Sequence, residues 1–309
     1  MKKLCLLTGA CCLLAVPALL AQNNRSAVSL SGADINPCTP ASPCRSFVAA
    51  IAVTNPGGEI IALDSGGYGP FAVTIPVTIS GAPGVHAAIA APAAPAMTIN
   101  AGSSDKVTIR NIVMIGAGAN YGINIVNAGT VEVFGCLVRG FNAFGIFVNT
   151  SAAMVVQIDN VWIADNTSAG IFIEGDFAGV NSVRTTVSNS SLYNNGDGIR
   201  SDYGTKTVIT NCTIADDSNS GVTVNSNIST GLSADATIEG CTISNNNMGT
   251  FVGASGTNNT AKMTLSNNLL SFNATAVTVS VNGVANSFAD NRFAANISDG
   301  SPLGAASFK

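Results

Sequence analysis

Charge and titratable chemistry are scarce in this 309-residue chain. Only 10% of residues are charged and 6% are aromatic, with one histidine and one tryptophan. The lone His86 excludes a multi-histidine metal site and leaves any Ser-His-Asp or Cys-His catalysis resting on one residue. No Cys-x-x-Cys spacing occurs, which argues against the common zinc frameworks. Lysine and arginine total 13 against 17 acidic residues, so the chain lacks the basic balance expected of a nucleic-acid partner. Beyond residue 21 no apolar run is long enough to span a bilayer. With 47% apolar residues, disorder is excluded too.

Residues 1–21 read as an export signal. Lys2 and Lys3 form the basic start, Leu4 to Leu20 the apolar run, and Ala21 the small residue before Gln22. The expected location is therefore secreted, periplasmic or cell-surface. Cys5, Cys11 and Cys12 depart with that leader. Cys38 and Cys44 lie six apart in a stretch rich in proline and serine, where a disulfide is expected. Closing so small a loop stabilises by about 2 kcal/mol on the chain-entropy model. Ser46 to Val53 has the pattern of a short amphipathic helix, ended by Asn55-Pro56-Gly57-Gly58. Residues 22–57 are thus expected to form an N-terminal extension holding the disulfide loop and this helix.

From residue 107 a motif recurs: two apolar residues at alternate positions, then Asn or Gly, then an inward residue and a second apolar pair. Val107-Thr108-Ile109-Arg110-Asn111-Ile112 is the first copy and Val131-Glu132-Val133-Phe134-Gly135-Cys136 the second. Later copies centre on Asn160, Asn189, Asn211, Gly240, Asn267 and Asp290, at spacings of 24, 25, 29, 22, 29, 27 and 23 residues. Most copies are followed by a Gly-Ile-x-Val strand, as at Gly122-Ile123, Gly145-Ile146, Gly170-Ile171 and Gly198-Ile199. A period in the twenties with strands in every copy signals a solenoid. Asn and Gly suit the sharp bend between strands because they tolerate left-handed dihedrals. Cys136, Cys212 and Cys241 all follow that bend on an inward position, where a thiol behaves as a small hydrophobe. They are expected to remain reduced.

The helix at Ser46–Val53, the Pro56-Gly57-Gly58 turn and the following strands Glu59–Leu63 and Val73–Ile79 resemble the opening of right-handed parallel β-helix proteins of the pectin-lyase-like group. That resemblance covers about residues 44–293. It implies an all-β fold, a single right-handed parallel β-helix of three-strand coils, roughly nine to eleven in number, over residues 58–300. A capping helix would precede it and a short tail, 301–309, follow it. The group includes lyases, hydrolases, epimerases and adhesins, so the resemblance is generic for activity. Its polygalacturonase-like and epimerase-like signatures are absent here.

On such a coil inward residues only pack, and function falls to outward positions. Aligning the Gly-Ile-x-Val strands gives one outward column of Asn124, Phe147, Phe172, Arg200, Thr223, Phe251 and Thr278. Two residues later runs a second, with Asn149, Glu174, Asp202 and Asn225. Exposed Phe147 and Phe172, flanked by Asn124, Asn149, Thr223 and Asn225, would offer a sugar an apolar face to stack on and polar groups at its edge. Eight of the 17 acidic residues fall between Asp159 and Asp217. Glu174, Asp176 and Asp202 are candidate oxygen ligands for Ca²⁺. Two functions follow. One is a non-catalytic module that binds an extracellular or cell-surface polysaccharide. The alternative is a polysaccharide lyase or related uronate-active enzyme using Arg200, Glu174 and Asp202, with Ca²⁺ as candidate cofactor. The thin cover of the last coil points to self-association there.

Overall fold

The computed structural model describes residues 22–175, 183–227 and 231–306. The expected leader and Asp176 lie outside them. Among the described residues, the chain winds into three stacked sheets of 12, 10 and 10 strands, and the stacking within each is parallel. One coil is Thr130–Phe134 in the first sheet, Leu137–Arg139 in the second and Phe144–Asn149 in the third. The strand counts agree with the nine to eleven coils expected.

Alternation decides the core. In Thr130–Phe134, Val131 and Val133 point inward and are fully buried, as are Val138 in the second sheet and Ile146 and Val148 in the third. Each such side chain contributes roughly 1.5–3 kcal/mol of transfer free energy. The turn from first to second sheet is made by left-handed residues: Asn111, Gly135, Asn160, Asn189, Asn211, Gly240 and Asn267, all with φ between 48° and 65°. In the last copy the left-handed residue is Ala289, one position before the expected Asp290.

The motif glycines of the third sheet have a steric cause. A Cβ on Gly145 would sit 2.7 Å from the Gly170 carbonyl oxygen, and one on Gly221 would sit 2.8 Å from that of Gly249. The same added atoms would crowd a buried amide, Asn166 or Asn246, on the neighbouring corner of the coil. Those amides form a ladder at the second bend, through Asn166, Asn195, Asp217, Asn246, Asn273 and Asn296. In each step the backbone N–H of one rung donates to the side-chain oxygen of the next, at 2.8 to 3.2 Å. A shorter row follows the first bend, where Cys241 N donates to Asn268 Oδ1 and Asn268 N to Asn291 Oδ1, both at 2.9 Å.

Both ends of the coil depart from the expected boundaries. Asn23–Val28, within the presumed extension, is a strand paired in parallel with Thr54–Ala62, so the stack begins before residue 58. Gly304–Ala305, within the presumed tail, pairs with Asn286–Ser287. The expected helix is Phe47–Val53. Ser46 caps it, its Oγ accepting from Ala49 N, and Asp34 in turn accepts from the backbone N–H groups of Arg45 and Ser46. Phe47 packs on Phe71 and Tyr68, ring centroids 4.6 and 5.3 Å apart, and so covers the open end of the core. Cys38 and Cys44 form the expected disulfide, with Cα atoms 4.5 Å apart. Cys136, Cys212 and Cys241 are buried free thiols, and burial raises that of Cys136 to about 12.

Candidate functional site

The third sheet carries the proposed outward column in register. Asn124 pairs with Phe147, Phe147 with Phe172, Phe172 with Arg200, Arg200 with Thr223, Thr223 with Phe251 and Phe251 with Thr278. Parallel stacking places such neighbours about 4.8 Å apart. The second column holds only in part. Asn149 pairs with Glu174 and Asn225 with Gly253, but the strand Asp197–Ser201 ends before Asp202, which is buried.

Phe147 and Phe172 are not an exposed platform. Phe147 is only 9% accessible. A third column, at the residue before each motif glycine, supplies Tyr121 and Phe144, and the four rings close on one another. Centroids lie 5.2 Å apart for Tyr121–Phe147, 4.9 Å for Phe144–Phe147 and 5.3 Å for the stacked Phe147–Phe172 pair. The cluster is a ridge that packs against itself and shows its edges. Asn124 is half-buried and Asn149 exposed at its border.

Beside the ridge sits a charged group. The Arg200 guanidinium lies over the Phe172 ring, 5.0 Å from its centroid. Its Nε and Nη2 donate to the two oxygens of Asp202 at 3.0 and 2.9 Å. Tyr203 Oη donates to Glu174 at 3.1 Å. Burial pushes the Glu174, Asp197 and Asp202 carboxyls above the usual range, with Arg200 offsetting part of the effect at each. Arg200 is drawn up by Asp202, Asp197 and Glu174 against its own desolvation. The three residues named for catalysis thus meet in space, but as a closed network. Among the described residues no group of three or more His, Cys, Asp or Glu is arranged to hold a metal ion. Asp202 is held by Arg200, and Asp176, the third expected ligand, lies outside the described residues.

Next to Arg200 opens a cleft of about 280 Å³, lined by Asp197, Arg200, Thr223, Asn225, Met248 and Phe251 among others. Asp197 Oδ1 is held in place by Asn219 Nδ2 at 2.6 Å, Ser220 N at 3.2 Å and Thr223 Oγ1 at 3.3 Å. Asn225 is 4% accessible, yet its Oδ1 has no hydrogen-bond partner among the described residues. A buried polar atom left this way costs about 1–3 kcal/mol, which a ligand bringing the complementary group would recover. Thr223 and Asn225 were legible in the sequence as outward residues. Asp197 and Met248 were missed, and their signal is the position before Gly198 and Gly249. A larger open groove, about 440 Å³, runs over the first bends past Trp162 and Leu137, and holds none of the expected site residues. His86 is exposed, ahead of the strand Ala87–Ala91 near the N-terminal end.

Comparison with known proteins bears on the backbone. A family model described as a right handed beta helix region matches residues 177–307. No curated protein matches the chain. A solved pectate lyase, Pel9A, superposes with a TM-score of 0.55 at 16% identity, over 93% of this chain and 79% of its own. XylC, solved in complex with xylose, gives 0.62 at 10% identity, over 84% of this chain and 68% of its own. Parallel coils in three sheets, left-handed bends at a recurring position and these matches together identify the fold of the chain as a right-handed parallel β-helix.

Proposed function

We propose that this is a secreted, non-catalytic β-helix that binds glycan in the cleft between Arg200 and Phe251. The observation that carries this reading is the buried, unpartnered Asn225 amide oxygen of a residue that lines a cleft with one apolar wall. A sugar ring suits it, because hydroxyls can fill the vacant acceptor while a C–H face lies on Phe251 and Met248. Two proteins of like backbone, a pectate lyase and a protein solved with xylose, are associated with saccharides by name. A disulfide at Cys38–Cys44, and no helix among the described residues able to cross a membrane, are compatible with export.

The lyase reading is less well supported. A lyase needs a cation to neutralise a uronate carboxylate and a base to take the α-proton. Arg200 has its Nε–Nη2 edge on Asp202, and Glu174 accepts from Tyr203. Calorimetric titration of soluble oligosaccharides into the exported chain, with its N-terminus read at Gln22, tests the proposal. Asn225→Ala should weaken binding at least about tenfold, equivalent to ~1.4 kcal/mol. Unchanged affinity in the variant would remove the cleft as the site.

A further inference from the structure

The charge around the cleft narrows the ligand, taking the glycan-binding reading as given. Three carboxylates, Glu174, Asp197 and Asp202, act on one guanidinium, that of Arg200. Arg200 has its Nε and Nη2 on Asp202 and its guanidinium over the Phe172 ring. An incoming carboxylate would have to share Arg200 with Asp202, whose buried carboxyl already takes its Nε–Nη2 edge and offsets its charge. It would also approach Asp197, whose oxygen is fixed on the cleft wall by three donors.

The hydrogen-bonding inventory points the same way. Thr223 donates its hydroxyl proton to Asp197, so toward the cleft it offers lone pairs. Asn225 Oδ1 is an acceptor with nothing on it. The cleft therefore sets these acceptors and the Asp197 carboxyl beside an Arg200 whose charge is already shared among three carboxyls. A ligand that supplies hydroxyl or ammonium protons completes it, and one that supplies a second carboxylate does not.

We infer that the Asn225 cleft takes an uncharged or amino-bearing sugar and rejects uronates, a selectivity set by Asp197 and by the engagement of Arg200 with Asp202. The test is a binding comparison of the full exported chain with three oligosaccharides of matched length at neutral pH: a cello-oligosaccharide, a chitosan oligosaccharide and an oligogalacturonate. One of the first two should bind at least about tenfold more tightly than the galacturonate. Asp197→Asn should narrow that gap by raising galacturonate affinity, with folding of the variant checked by circular dichroism. Galacturonate binding as tight as the others, and weakened by Asn225→Ala, would overturn the selectivity while leaving the cleft as the site. Failure of all three to bind would overturn the glycan-binding reading itself, and binding indifferent to Asn225→Ala would overturn the assignment of both ligand and selectivity to this cleft.

Discussion

Asp217 is a carboxyl group in a place built for an amide, and replacing it with asparagine should stabilise the protein. It is 1% accessible and stands between Asn195 and Asn246 in the buried ladder. Asn195 donates to its Oδ1 through both N and Nδ2, as one rung does to the next elsewhere. Its Oδ2 occupies the position where other rungs carry Nδ2, and has no partner. Asn246 and Asn273 use that nitrogen on the carbonyls of Ile214 and Ile243 and on the amide oxygen of the following rung. Only the protonated acid can imitate it, since a carboxylate has no proton to give. Burial accordingly pushes the Asp217 carboxyl up to about 8.

The folded state then retains a proton between about pH 4 and 8 that the unfolded chain has released, so stability falls as pH rises through that window. With 1.36 kcal/mol per unit, the loss is on the order of 4 kcal/mol by neutral pH. Below pH 4 both states are protonated and this contribution is fully present. Asp217→Asn has no such dependence. Urea unfolding followed by circular dichroism should show the variant ahead by about 1 kcal/mol near pH 4, from one better hydrogen bond. The gap should widen by several kcal/mol by pH 8. A gap constant across that range would refute the assignment of Asp217 as a neutral acid.

Two other outcomes are expected. Gly221→Ala should cost about 2 kcal/mol in the same unfolding assay, because its Cβ would lie 2.8 Å from the Gly249 carbonyl oxygen and 2.9 Å from Asn246 Nδ2; wild-type stability would show that the coils can part to admit a methyl group. Self-association is proposed at the C-terminal coil, where Ile297 is 89% accessible and Val281 is also exposed. Ile297→Asp should shift a concentration-dependent dimer to monomer in sedimentation, and a chain monomeric at all concentrations would end that proposal.

The coil was legible because its period is local. Each bend needs a left-handed residue and each strand alternates, so Asn111, Gly135 and Asn160 mark the register before any contact is known. The column from Asn124 to Thr278 followed from that register alone. What escaped depends on neighbours. Asn23–Val28 has little apolar patterning of its own and is a strand because Thr54–Ala62 offers an edge. Phe147 read as exposed because alternation points it outward. It is covered by Tyr121 and Phe144, which enter from the residue before each glycine. Asp202 read as an open outward residue, and it is buried against Arg200 just past the strand end at Ser201. Asp217 resembled surface charge, like its exposed neighbour Asp216, and only the stacked amides on either side reveal its role.

The buried ladder also has a direction. From Phe141 N, which donates to Asn166 Oδ1, each rung's backbone N–H donates toward the C-terminal end, and Nδ2 of Asn166, Asn195, Asn246 and Asn273 sends one proton the same way. At the far end Asn296 Nδ2 donates to Asp299 Oδ1 at 3.2 Å, an anion at the end to which those protons point. A coil gained or lost in the course of descent must therefore enter or leave as a whole turn, with its amide aligned, or the row is cut in two.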